Sequence, residues 1–303
     1  MSTDKPFRTF DEQVQILASR GMTVRQEDKT TLMREGYYSL VNGYKDAFID
    51  PQATSEAGED RYREGTSFEH LHLLFDVDRY LRESTFPLIV RAETTFRTAL
   101  AYSFSDKNRS QDAYLDPSNY CAQQQYHSRE RYESDRRRLI QVLQAAHDNQ
   151  WRHPAVAHYL NDYGHVPLWV LVNVLTFGNV SHLYALSTAA VRNETCKIVA
   201  EVRGGGRIGT EQLRKAVSTL VDFRNICAHD DRLYCARVGL HRERTFADML
   251  DALAVIVEGE RVEEYKRSIA QLIDNLSEVP SIKAEVLRGM RVDLEAGTVV
   301  RRP

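Results

Sequence analysis

Apolar residues along this chain recur at three- and four-residue spacing through long stretches that glycine and proline leave uninterrupted, the period of a helix buried on one face. The clearest stripe is Leu71, Leu74, Phe75 and Leu81, with Asp78 and Arg82 on its border. Thr66 or Ser67 stands ahead of it to cap a helix start, and the pattern predicts one long helix over residues 68–102, kinked near Pro87. Leu139, Ile140, Leu143 and Ala146 form the buried stripe of a charged helix within residues 128–147. Residues 167–186 open with proline at a helix start, break at Gly178 and resume through Val180, Leu183, Tyr184 and Leu186, which predicts two turn-linked buried helices. Gly204, Gly205 and Gly206 make a flexible connector, after which Thr210 caps a helix carrying Leu213, Val217, Leu220 and Val221 and running on to His229. Leu250, Leu253, Ala254, Val257 and Tyr265 place one or two further amphipathic helices in residues 246–276.

Between these stripes, residues 50–64 are polar, contain proline and glycine, and offer few apolar anchors, as expected of a mobile surface loop. The chain therefore divides into an N-terminal helical extension with its loop (1–60), a main helical bundle (61–280) and a C-terminal tail (281–303). The fold class is all-α, and no internal repeat interrupts it.

Composition narrows the setting without changing that picture. With 42% hydrophobic and 27% charged residues in 303, this is the composition of a folded globular protein, and no stretch has the roughly 18 apolar residues that cross a bilayer. The first residues are polar and alternately charged, unlike a secretory signal or a transit peptide, so a cytoplasmic location and no membrane partner are expected. Cys121, Cys196, Cys227 and Cys235 form no C-x-x-C pair, and the ten histidines show no H-E-x-x-H spacing, so neither a disulfide framework nor a metal or other cofactor is expected. A net charge of −3 excludes a globally basic nucleic-acid binder, and any RNA site must be focal.

The candidate chemistry lies at the end of the helix that begins at Thr210, in the segment Arg224-Asn225-Ile226-Cys227-Ala228-His229. Asn225 and His229 are four apart, hence about 40° from each other around the axis, and share a face. Arg224 has a stem long enough to swing its guanidinium toward the same region. Metal-free RNA cleavage needs a base for the 2′-hydroxyl, an acid for the 5′-oxygen and a cation for the charged phosphorane. Histidine titrates near neutrality and arginine forks onto two phosphate oxygens, so the residue types fit. One histidine does not easily serve both proton transfers, which points to a symmetric homodimer presenting two such helices.

The chain resembles the Abi-like proteins, the AbiD/AbiF abortive-infection group. The resemblance runs over residues 5–234: Lys5-Pro6, Glu12-Gln13, Arg20-Gly21, Gly36-Tyr37-Tyr38, Asn42-Gly43-Tyr44, Gly65-Thr66-Ser67-Phe68, Phe75 to Arg82, Glu93, Arg97-Thr98, Pro167-Leu168-Trp169, Phe177-Gly178, and Arg224 to Tyr234. It implies phage defence, a HEPN-like helical core and an R-x4-6-H ribonuclease motif mapping onto Arg224 and His229, with Asn225 at the polar position after the arginine. Asp230 departs from the pattern, because family members often have a second histidine there. The expected partner is RNA, either a cellular or phage transcript that the protein cleaves or a small structured RNA that a non-catalytic module holds.

Other residues admit a functional and a plainer reading side by side. Arg79 and Arg82 are three apart, and Arg97 falls 15 further on near the same azimuth, so they line a phosphate track or else pair with Asp76, Asp78, Glu83 or Glu93. Arg232 adjoins the motif and is a candidate RNA contact through proximity. The cluster Arg136-Arg137-Arg138 is interleaved with acids and reads as a solvated, salt-bridged face. Tyr37, Tyr38 and Tyr44 either stack on unpaired bases or anchor the N-terminal unit.

Overall fold

The computed structural model describes residues 6–149 and 153–302. Its axis is α4 (Phe68–Lys107), one continuous 40-residue helix. Ser67 caps its start by accepting the amide of His70 at 3.2 Å. Pro87 is accommodated inside it at a solvent-exposed turn. The periodicity located this helix and its cap; the structure carries it five residues beyond 102.

Around α4 pack α7 (Leu168–Leu171), α8 (Phe177–Leu186), α9 (Ala189–Val202), α10 (Thr210–Ala228) and α11 (Phe246–Ile256). The buried face of α10 is Leu213, Ala216, Val217, Leu220 and Phe223, each removed from water and together the main reason that this helix is fixed against α4, α8 and α11. Burying a side chain of that size contributes roughly 1.5–3 kcal/mol. Gly209, rather than Thr210, is the capping position, and the Gln212 side chain accepts its amide at 3.3 Å. The helical break after Pro167 falls at residues 172–176 and not at Gly178, because the Thr176 hydroxyl caps α8 by accepting the amide of Asn179 at 3.2 Å.

Residues 50–64, expected as a loop, hold a short helix, α3 (Pro51–Ala57). Asp50 caps it by accepting the amides of Gln52 and Ala53, and Pro51 supplies the pre-set φ of a first helical residue. Low apolar content hid it. The buried Tyr62 then ties the segment back through a bridge to Ile49.

Residues 281–303, expected as a tail, contain most of α13 (Pro280–Met290) and a hairpin of β1 (Val292–Glu295) with β2 (Thr298–Arg301). Val292 and Val299 are buried, and Arg301 pairs with Asp248 and Asp251 of α11 at 2.8 and 2.6 Å. The remaining helices are α1 (Phe10–Ser19) and α2 (Asp28–Glu35) ahead of α4, α5 (Tyr132–His147) and α6 (Pro154–Tyr163) after it, and α12 (Gly259–Asp274). Among the described residues the two-strand hairpin is the only sheet, and no helix is long and apolar enough to cross a membrane. The fold is all-α.

Candidate nucleic-acid site

The segment from Arg224 to Ala228 is the last turn and a half of α10, and His229 is its C-cap. Asp230 follows in the left-handed region with φ 58°, and the amide of Asp231 reaches back to the carbonyl of Ile226 at 3.1 Å, closing a Schellman-type end. Glycine usually takes that position. Aspartate is one of the few other residues that tolerate it, and here its carboxylate is also gripped by Arg82 at 2.6 Å.

Arg82 explains why the end of α10 is so well defined. The residue is 3% exposed, and its guanidinium spans Asp78 at 2.7 Å, the Tyr44 hydroxyl at 3.2 Å and the Asp230 carboxylate. Asp78, fully buried one turn earlier on α4, accepts the amides of Leu233 and Tyr234 and the Tyr44 hydroxyl at 2.7 Å. Burial pushes the Asp78 carboxyl up, against the pull of Arg82, Tyr44 and the two amides. One buried ion pair thus clamps the backbone that leaves the motif, while Leu233 and Tyr234 seal it with apolar contact.

Against that fixed frame two motif side chains point into solvent. Asn225 and His229 are both exposed, and neither side chain has a hydrogen-bond partner among the described residues. They share the solvent face, as the four-residue spacing predicted. Arg224 does not join them. Five residues separate it from His229, about 140° around the axis, and it turns to α4, where its Nε lies 3.9 Å from a Glu93 oxygen. Its side chain is 37% exposed, so the guanidinium reaches the surface beside α4 and not beside the imidazole. Cys227, inside the motif, has its thiol pushed up to about 12 by burial, so it stays protonated at neutral pH and is no nucleophile.

Glu93 is the second buried acid of α4, and it serves two arginines. It is bonded to Arg97 one turn along the helix, and Arg97 also donates to the Val172 carbonyl at 2.7 Å. Asp78 with Arg82 and Glu93 with Arg97 therefore repeat one device, an acid and an arginine four residues apart, at two levels of α4.

The four arginines expected to line an RNA path occupy different settings. Arg82 is enclosed by protein, and Arg97 is 16% exposed with its donors directed to Glu93 and Val172. Arg79 is bonded to Glu35 of α2 and lies over the Phe75 ring, 4.5 Å from its centre. Arg232 donates to the Gly43 carbonyl at 2.5 Å, and 42% of its side chain remains exposed. The first three do not form one open track. Tyr44 anchors the N-terminal unit through Asp78, whereas Tyr38 is exposed.

The structure adds a feature that charge and motif did not reveal. A cleft of about 880 Å³ opens between α4, α7 and the loop after α4, with Glu93, Arg97 and Arg224 at one end and the exposed rings of Tyr102 and Trp169 on its walls. Trp169 stands in the Pro167-Leu168-Trp169 fragment of the resemblance, and that place is the hint the sequence held, its exposure being visible only in the structure. Among the described residues, no group of three or more histidines, cysteines and acids is placed to hold a metal ion.

The model of one family, Abi-like protein, matches residues 30–235, more than half of the chain and the whole span from α2 to the clamp behind the motif. The chain belongs to the Abi-like protein family. This membership points to abortive-infection defence. No curated protein and no solved structure matches the chain. The matched span contains both acid–arginine devices of α4, the cleft and the exposed motif, and leaves out α1 and everything from α11 onward.

Proposed function

We propose that this Abi-like protein is a metal-independent endoribonuclease of antiphage defence with a HEPN-like core, acting in the cytoplasm on cellular or phage RNA through Arg224, Asn225 and His229. The observation that carries this reading is the contrast at the end of α10. A buried ion-pair network holds the backbone of residues 230–234, while the only imidazole of the segment and its neighbouring amide are left exposed and unpartnered. A structural histidine would be satisfied by a neighbour, whereas a proton-transfer group must be free to meet substrate.

In this account His229 takes the proton of the 2′-hydroxyl, the 2′-oxygen attacks phosphorus, and the P–O5′ bond breaks. The products are a 2′,3′-cyclic phosphate and a 5′-hydroxyl strand. Arg224 offsets the charge on the phosphorane oxygens. Since Arg224 and His229 of one chain face different sides of α10, a homodimer brings the arginine of one chain to the histidine of the other, and the second imidazole supplies the proton for the leaving oxygen. Arg79 and Arg232, at the partly exposed margin, contact flanking phosphates, and Arg82 and Arg97 position the elements behind them.

A second reading has its own support. The turn of Arg224 away from His229 suits a non-catalytic module that grips a structured small RNA along α4 and α10. Growth inhibition separates the two. Expression of the wild-type protein arrests host growth and His229→Ala does not, if the imidazole does chemistry. Equal arrest by both proteins contradicts the enzyme and favours the module.

A further inference from the structure

The cleft beside Arg224 has the makings of a ligand site that the motif chemistry does not require. Its volume, about 880 Å³, lies within the range of pockets that enclose small organic ligands, about 300–1,000 Å³. Large aromatic rings are rarely left in water on the wall of a concavity, yet Trp169 is 56% exposed and Tyr102 62%.

The charges at the cleft are mostly spoken for. Asp106 pairs with Lys107 and Arg109, Asp112 accepts from Tyr114 and from the amide of Val166, and Arg97 donates to Glu93 and Val172. Arg224 is different. Among the described residues its guanidinium makes no hydrogen bond, and its one acidic neighbour, Glu93 at 3.9 Å, is already bonded to Arg97. One carboxylate shared by two guanidinium groups leaves a surplus positive charge at that end of the cleft, while Asp106, Arg109 and Asp112 elsewhere on the lining bring its formal sum to zero.

We propose that this cleft seats a single unstacked nucleotide, its phosphate on the Arg224 guanidinium and its base against the Trp169 and Tyr102 rings. Every base presents a π-face, so the seat selects a nucleotide without reading its identity. The nucleotide is either one residue of a single-stranded RNA or a free mononucleotide, and both offer the same phosphate and ring. The choice of a nucleotide rests on the RNA reading above. Arg224 then holds a phosphate whether or not His229 cleaves the strand, and the cleft fixes which phosphodiester lies at the end of α10.

Calorimetric titration of His229→Ala, which keeps cleavage out of the measurement, tests this with adenosine 5′-monophosphate, adenosine and a short single-stranded oligoribonucleotide. The monophosphate or the oligonucleotide binds, and adenosine binds more weakly than the monophosphate. Trp169→Ala and Tyr102→Ala in the same background each weaken binding by about tenfold. Trp169→Phe retains most of it, Arg224→Ala abolishes the advantage of the phosphate, and Tyr38→Ala, an exposed tyrosine away from the cleft, changes nothing. Binding of the oligonucleotide alone assigns the seat to a strand, and equal binding of the monophosphate assigns it to a free nucleotide. No binding of either probe, or binding untouched by both ring deletions, overturns the proposal. If the wild-type protein cleaves RNA while either of those results holds, the cleft assignment falls and the endoribonuclease stands.

Discussion

Arg82, in the middle of α4, reaches the carboxylate of Asp230, two residues past the end of α10, at 2.6 Å. The contact joins positions 148 residues apart and lies at the only point where the chain takes a left-handed turn out of the motif helix. It makes the exposed face of His229 a property of the α4 core.

The two ends of that contact differ in what they would cost to lose. Arg82→Met leaves Asp78 buried beside only neutral donors, and removal of one partner from a buried pair costs about 3–5 kcal/mol. Asp230→Asn keeps a residue that tolerates the left-handed backbone and gives up an ion pair whose carboxylate is 67% exposed, so its cost is below about 1 kcal/mol. Urea unfolding of the two variants gives the comparison, and similar losses would refute the clamp.

The clamp has a second wall. A Cβ placed on Gly289 of α13 would lie 2.7 Å from the Tyr234 ring and 3.1 Å from the Tyr234 carbonyl oxygen. Gly289→Ala therefore destabilises the fold by about 1–3 kcal/mol, the usual range for overpacking. Gly43, where an added Cβ meets nothing within 4 Å, is the control, and Gly43→Ala changes stability by far less in the same unfolding assay.

The N-terminal unit is held partly by charge. The Arg79 guanidinium bonded to Glu35 holds that carboxyl below its ordinary value of 4.5. A depressed carboxyl stabilises the folded state fully above its unfolded value and loses that contribution as the pH falls toward the folded one. The urea midpoint of the wild type therefore drops between pH 6 and pH 3.5 by more than that of Glu35→Gln. Identical drops would show that the pair contributes nothing.

His229 is exposed and its side chain has no partner among the described residues, so its removal is a clean test of chemistry. His229→Ala changes stability by no more than about 0.5 kcal/mol, the range for surface substitutions away from structural features. Thermal unfolding beside the wild type checks it, and a larger loss would mean that the imidazole is structural.

Helix positions were legible because their signals are local: stripes such as Leu213, Val217 and Leu220, and a cap such as Ser67. The short helix α3 escaped because its evidence was a cap and a proline rather than an apolar stripe. At the site, the spacing of Asn225 and His229 correctly put both on one face, since that depends on one helix alone. The direction of Arg224 was not legible. Its position relative to Glu93 depends on how α10 crosses α4, and a spacing argument contains no partner helix. The cleft was hidden for the same reason, because Tyr102 and Trp169 come together only through the packing of α7 against α4. The recurrence of an acid and an arginine four apart, at Asp78 with Arg82 and at Glu93 with Arg97, was visible in the sequence. Only the burial of the acids reveals those pairs as the support of the site.

We propose that His229 cleaves RNA without a metal. Purified wild-type protein and His229→Ala, each incubated with total RNA in excess EDTA, test it most directly when the 3′ ends of the fragments are analysed. The wild type yields fragments with 2′,3′-cyclic phosphate ends, and His229→Ala leaves the RNA intact. Equal fragmentation by both proteins, or intact RNA with both, contradicts it.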